Sequence, residues 1–87
     1  SHFQQAVDID QNYTDARNNL ARSLIEVANT KAARVQLQIV AQDLTYTGQA
    51  KTHLNFGISY FKDHNYLAAI PHFQKSIKLL KDNCISY

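Results

Sequence analysis

HLNFGISYFKDHNYLAAIPHFQKSIKLL, residues 53–80, sets its bulky and small side chains at steps of three and four. Phe56, Gly57, Tyr60 and Phe61 share one face of a first helix, and Tyr66, Ala69, Ile70, Phe73, Ile77 and Leu80 share one face of a second. The polar run from Asp63 to Asn65 parts them, and the Asn65 side chain suits an N-cap because its oxygen can accept from the first free backbone N–H groups of the following helix. So short a link forces the two helices to run antiparallel. Glycine inside a helix costs about 0.5–1 kcal/mol relative to alanine, so Gly57 is expected where two helices come too close for a side chain. Pro71 removes a ladder bond five or six residues into the second helix and predicts a kink near Leu67.

Working outward, the same pattern recurs upstream. A shift of 36 residues pairs Asn19 with Asn55, Leu20 with Phe56, Ala21 with Gly57, Leu24 with Tyr60, Ile25 with Phe61, Ala33 with Ala69 and Leu37 with Phe73. Small meets small and bulky meets bulky. A shorter match, at 34 residues, pairs Phe3, Ala6 and Val7 with Leu37, Val40 and Ala41. The two extra residues fall in the link TYTGQ, where they lengthen a helix by half a turn or loosen the joint. Five helical segments are therefore predicted, divided near Asn12–Thr14, Asn29–Thr30, Thr45–Gly48 and Asp63–Asn65, with Thr14 and Thr47 as further N-caps. The repeating unit is a helix pair.

Composition agrees. Two glycines and one proline in 87 residues are too few for the turns of an all-β or α/β chain of this size. The length excludes a multidomain enzyme. A formal charge of +2 is too weak to argue for a phosphate-backbone binder. Cys84 has no second cysteine to pair with. No apolar run approaches the roughly 18 residues of a spanning helix, and no basic-then-apolar signal opens the chain, so this segment is expected to make no direct membrane contact. SHFQQAVDI opens in the middle of an amphipathic pattern, and the chain is expected to be a piece of a longer repeat protein.

Residues 53–80 resemble a tetratricopeptide repeat, a helix–turn–helix unit of about 34 residues. The family's pattern is met by a bulky residue at His53, apolar and small residues at Phe56 and Gly57, aromatics at Tyr60, Tyr66 and Phe73, and small residues at Ala69 and Ser76. The preceding copy matches at Leu20, Ala21, Leu24, Ala33 and Leu37 but has Arg17 at the bulky position and Thr30 at the aromatic one. Neither copy carries the closing proline; Gln11, Thr45 and Lys81 stand near its place. The resemblance implies an all-α fold of tandem antiparallel helix hairpins stacked as part of a right-handed superhelix. Residues 1–11 would form the second helix of a truncated repeat, 14–47 and 50–83 two repeats, and 84–87 a tail.

Proteins of this family hold an extended peptide or a partner's helix in a concave groove lined by the first helix of each pair. The resemblance places Asn19, Arg22 and Glu26 in such a groove from one copy and Lys51, Asn55 and Lys62 from the other, with Asp15, Asn18, Ile58 and Ser59 beside them. Asn19 and Asn55 are the sharpest candidates, since a side-chain amide can donate to and accept from a peptide backbone at once. The implied function is that of a protein-binding adaptor or scaffold without cofactor, metal or catalysis. The alternative is a structural segment that self-associates through open repeat ends, exposing Ile70, Ile77 and Leu80 at one of them. Some family members clamp the C-terminal carboxylate of heat-shock chaperones. Asn19 and Lys51 fit two of those positions, but Asn55 stands where the clamp has arginine. The run LTYTGQAKTHLNFG is also similar to repeat-containing lipoproteins of bacterial type IV pilus assembly, which would imply a periplasmic adaptor; a cytoplasmic protein is equally compatible.

Other chemistries fare worse. His2, His53, His64 and His72 include no pair at the three- or four-residue step that puts two imidazoles on one helix face, and there is no HExxH. Cys84 has no evident base beside it. Lys75, Lys78 and Lys81 form a stripe, but no aromatic interleaves them for base stacking, so no nucleic acid is expected as partner. Asn12–Tyr13–Thr14 spells a glycosylation acceptor, which matters only in a eukaryotic secretory protein.

Overall fold

A computed structural model describes the backbone of residues 2–85 and the side chains of residues 12–82. Four helices make up the described chain: α1 (His2–Glu26), α2 (Thr30–Gln42), α3 (Gln49–Lys62) and α4 (Tyr66–Ile85). No strand occurs among the described residues. The all-α class holds, with one fewer helix than expected.

The difference lies at Asn12–Thr14, which is helix rather than turn. Residues 8–16 hold neither glycine nor proline, and each Asn or Thr in a helix interior costs at most about 0.7 kcal/mol relative to alanine. That is too little to end a helix. The Thr14 hydroxyl caps nothing; it donates to Asp43 Oδ2 at 2.9 Å, tying α1 to the end of α2. The stub expected over 1–11 is therefore continuous with the helix after it, and the packing expected of Phe3, Ala6 and Val7 lies outside the described side chains.

Hydrogen-bond partners give the helix directions. Between α1 and α2, Arg17 meets Gln36 while the earlier Thr14 meets the later Asp43, which is antiparallel. Between α3 and α4, the Ser76 hydroxyl reaches the Ala50 carbonyl and His53 meets His72, again antiparallel. Between α1 and α3 the partners rise together, at separations of 32 to 37 residues, so these two helices run parallel at about the repeat length. α3 packs on both α1 and α2. The core lies where they meet, in Ala21, Ile25, Ala33, Leu37 and Phe56, with Leu24, Ala41, Ile58 and Tyr60 against it.

The two hairpins turn in the same way. Ala28 takes φ 64° after α1 and His64 takes φ 62° after α3, 36 residues apart in sequence. Asn29 N–H returns to Leu24 C=O at 2.8 Å, and Asn65 N–H returns to Tyr60 C=O at 2.9 Å. These are matching six-to-one closures of a helix end through one left-handed residue. Asn65 then caps α4 as expected, its side-chain oxygen accepting from Ala68 N–H at 3.3 Å. Thr47 does not cap α3; Gly48 holds that position, with no side-chain cap bond. Its lack of a side chain matters, because a Cβ there would collide with the Tyr46 ring.

Gly57 marks the close approach predicted for it. A Cβ at that position would lie 2.5 Å from Phe73 ring carbons. Ala21 and Ala33 are fully buried and Ala69 is 1% exposed, so all four small positions serve helix contact. α4 continues through Pro71. Pro71 has no N–H to offer the Leu67 carbonyl four residues back, and Leu67 is 87% exposed.

The α2–α3 link is tightly held. Asp43 Oδ1 accepts from the Thr45 hydroxyl at 2.6 Å and from Thr45 N–H at 3.2 Å, while the Gln49 amide donates to the carbonyls of Val40 and Asp43, both at 3.0 Å. The Thr45 contact is also the main reason the Asp43 carboxyl lies below its usual range. Tyr46 is 6% exposed, so the inserted residues plug the joint instead of loosening it.

Candidate functional site: the parallel α1–α3 face

The side chains assigned to a groove fall on α1 and α3, but they divide into a buried layer and an exposed one. Asn18 and Asn55, at 0% and 1% exposure, form the buried layer with Thr52 and Ser59, both at 0%. Asn18 Nδ2 donates to Thr52 Oγ1 at 3.1 Å and to the Tyr46 hydroxyl at 3.5 Å, and Asn18 Oδ1 accepts from Asn55 Nδ2 at 2.8 Å. Thr52 passes its own hydroxyl proton to the Gly48 carbonyl at 3.2 Å, and Ser59 does the same to Phe56 at 2.7 Å. Among the described residues, no buried side-chain nitrogen or oxygen lacks a partner. A network satisfied in this way fixes one register of α3 on α1, since sliding either helix by one residue would strand several groups.

Asn55 is therefore not a free amide waiting for a peptide, as its sequence equivalence to Asn19 suggested. Asn19 is exposed, and accepts from Lys51 Nζ at 2.7 Å. The equivalence holds in sequence and fails in environment, because α3 has α1 packed on that face and α1 has no described helix packed on its own. Asn18, one position away from Asn19, is what meets Asn55.

Above this floor lies a polar band. Asp15, Asn19, Arg22 and Glu26 follow one another at steps of four, three and four along α1, a span of about 16 Å, or about five residues of extended peptide. Lys51 and Lys62, both exposed, belong to α3. Arg22 Nη1 donates to Asn55 Oδ1 at 3.4 Å and its Nε stands 3.9 Å from Glu26, an exposed pair of the kind worth only about 0.3–0.5 kcal/mol. Lys51 bridges Asp15 at 3.3 Å and Asn19 at 2.7 Å. Asp15 also accepts from the Tyr46 hydroxyl at 2.6 Å, and that bond, ahead of Lys51, holds its carboxyl below the usual range. Burial, with the facing carboxylate, pushes the Tyr46 phenol up.

A second polar cluster secures α2 to the end of α3. Thr30 donates to both Asp63 oxygens at 2.8 and 3.0 Å, and Arg34 Nη2 pairs with Asp63 Oδ2 at 2.8 Å. Arg34 also donates to Ser59 Oγ at 3.3 Å and lies 4.6 Å over the Tyr60 ring. Thr30, where the family pattern asks for an aromatic, thus has its own partner. The Thr30 hydrogen bonds, followed by Arg34, lower the Asp63 carboxyl.

His53 and His72 face each other at 3.1 Å between Nδ1 atoms, inside a ring stack in which His72 also lies 4.6 Å from Phe56 and 5.7 Å from Tyr60. Burial lowers both imidazoles; His72 and Lys75 lower His53 further. His64 is apart from them, in contact with the Tyr66 hydroxyl at 3.0 Å. Among the described residues no three His, Cys, Asp or Glu side chains come together as a metal site would require, and Cys84 is outside the described side chains. Tyr46 and Thr52 are the site residues that sequence reasoning missed. The signal for Tyr46 was a lone aromatic in an otherwise polar link.

Comparison with known protein families, with curated proteins and with solved structures gives no match. The geometry itself defines an all-α protein built on two helix hairpins that share a sequence period and a turn.

Proposed function

We propose that this chain is a protein-interaction module of the tetratricopeptide kind, whose exposed α1–α3 band receives an extended peptide or a partner's helix. The observation that carries this reading is the division of labour between the layers. Asn18, Asn55 and Thr52 lock two parallel helices into one register, and this leaves Asn19, Arg22, Glu26, Lys51 and Lys62 on a rigid support. Rigid presentation lowers the ordering cost of binding. The band offers both donors and acceptors along its length, which suits a peptide backbone more than a single anion. Membrane insertion is not part of this reading; no described helix is long and apolar enough to cross a bilayer.

The test is capture from a lysate on the immobilised chain, followed by titration of the captured partner's binding segment by calorimetry. Asn19→Ala with Arg22→Ala and Lys51→Ala should weaken that segment's binding at least tenfold while leaving the helical circular dichroism intact. A segment bound equally by wild type and variant would remove the band from the binding surface.

A further inference from the structure

The shift of 36 residues that relates the two hairpins also relates a covered face to an uncovered one. In the covered interface, α3 lies on α1 and α2. Phe56 joins Ala21, Ile25 and Leu37, Thr52 meets Asn18, Lys51 meets Asp15, and Asp63 meets Thr30 and Arg34. Moved forward by the repeat, the receiving positions become Leu54, Phe61, Tyr66 and Ile70 on α3 and α4, which are 40%, 55%, 48% and 50% exposed. Moved back by the repeat, the covering positions become Asp15, Ala16 and Leu20 on α1 and Val27 just after it; Leu20 is 49% exposed and Val27 73%. One end of the molecule is an open socket and the other an open plug.

We propose that a second copy of this chain fills the socket, its α1 lying on α3 and α4 as α3 lies on α1 and α2. The two faces differ from the covered interface in matched ways. Where Thr52 bonds to Asn18, the open faces set Ala16 against Leu54, so both partners turn apolar together. Where Asp63 binds Thr30 and Arg34, they set Val27 against Tyr66 and Ile70, again apolar on both sides. Where Lys51 of the covering helix pairs with Asp15, they set Asp15 of the second copy against Lys51, exchanging the signs and keeping the attraction. Where large Phe56 fits against Ala21, Ile25 and Leu37, smaller Leu20 meets larger Phe61 and Phe73 beside Gly57, which keeps the packed volume. Asn19 takes the place of Asn55 and retains the bond from its own Lys51.

A contact between unlike faces does not close on itself, so copies add head to tail into a stack whose α1 and α3 helices continue one row. The stacked contact shares Asp15, Asn19 and Lys51 with the edge of the proposed peptide band, but it rests on the apolar positions Leu20, Val27, Phe61 and Ile70 and does not require the band to be occupied.

The experiment is sedimentation equilibrium on the wild type and on two surface variants, Leu20→Glu in the plug and Ile70→Glu in the socket, each checked for helicity. The wild type's average mass should rise with concentration past that of a dimer. Each variant alone should stay monomeric. Their equimolar mixture should form a dimer and stop there, since it contains one intact plug and one intact socket per pair. Val27→Glu and Phe61→Glu, on the same two faces, replace any variant that loses helicity. A wild type that remains monomeric at millimolar concentration overturns the proposal. So does a dimer that survives Leu20→Glu alone, which would mean two sockets meeting face to face.

Discussion

Asn55 Nδ2 donates to the side-chain oxygen Oδ1 of Asn18 across 2.8 Å, in an interface where neither residue is more than 1% exposed. Removing either partner strands the other away from water. Asn55→Ala should cost about 1–3 kcal/mol in urea unfolding. Asn18→Ala should cost a similar amount, since it also frees Thr52 and Tyr46. The double variant should cost less than the sum of the two, with a coupling of about 0.5–3 kcal/mol. Additive losses would show that the two amides do not depend on each other.

Gly57→Ala pits helix propensity against contact. In an exposed helix the change would gain up to about 1 kcal/mol. Here the new methyl meets Phe73 ring carbons at 2.5 Å, so a net loss of about 1–3 kcal/mol is expected. Adding Phe73→Leu should recover part of that loss. A stabilised single variant in thermal unfolding would mean that α3 and α4 can move apart freely.

Ala28 adopts φ 64°, a conformation that L-residues disfavour by about 1–2 kcal/mol. Ala28→Gly relieves this strain, while the freer unfolded chain takes back about 0.4–1 kcal/mol. A net gain on the order of 0.5–1 kcal/mol is expected, seen as a rise in Tm of about 2–8 °C. The exposed site should leave the rest of the fold untouched.

His53 and His72 make stability depend on pH. Both imidazoles lie below their ordinary value of 6.5 in the folded protein, chiefly through burial. The unfolded chain therefore binds protons first as pH falls, so stability is full above about 6.5 and declines from there down through the folded values. The Nδ1 atoms share one hydrogen bond at 3.1 Å; two protonated rings would set donor against donor. Tm should fall between pH 7.5 and pH 5. His72→Phe, which keeps the stack on Phe56, should flatten that fall. An unchanged slope would assign the dependence to other groups.

Much of this architecture is local and was open to sequence reasoning. Steps of three and four fix which faces are apolar, Asn65 offers the cap that it makes, and three-residue links leave antiparallel packing as the only short route. The small residues Ala21, Gly57, Ala33 and Ala69 mark close helix contact by their size alone. These features depend on neighbours within a turn or two of helix, and a sequence carries them directly.

The polar residues obeyed a different logic. Adjacent residues such as Asn18 and Asn19 sit about 100° apart on a helix, and only the angle at which α3 meets α1 decides which of two identical side chains is buried. Asn55 looked like a ligand amide because the repeat equates it with Asn19, yet the helix packed on it makes it part of the floor. Asn12–Thr14 looked like a turn because its residues favour caps, but a preference of under about 1 kcal/mol yields to continuous helix and, for Thr14, to Asp43 across the hairpin. Tyr46 closes the α2–α3 joint through partners 28 and 31 residues away. The sequence by itself determined the apolar faces, the pairing of the helices and the repeat, because those follow from short-range periodicity; the tertiary structure alone decided that Asn12–Thr14 stays helical, which polar groups lock the interface and which stay exposed, because burial depends on what lies opposite.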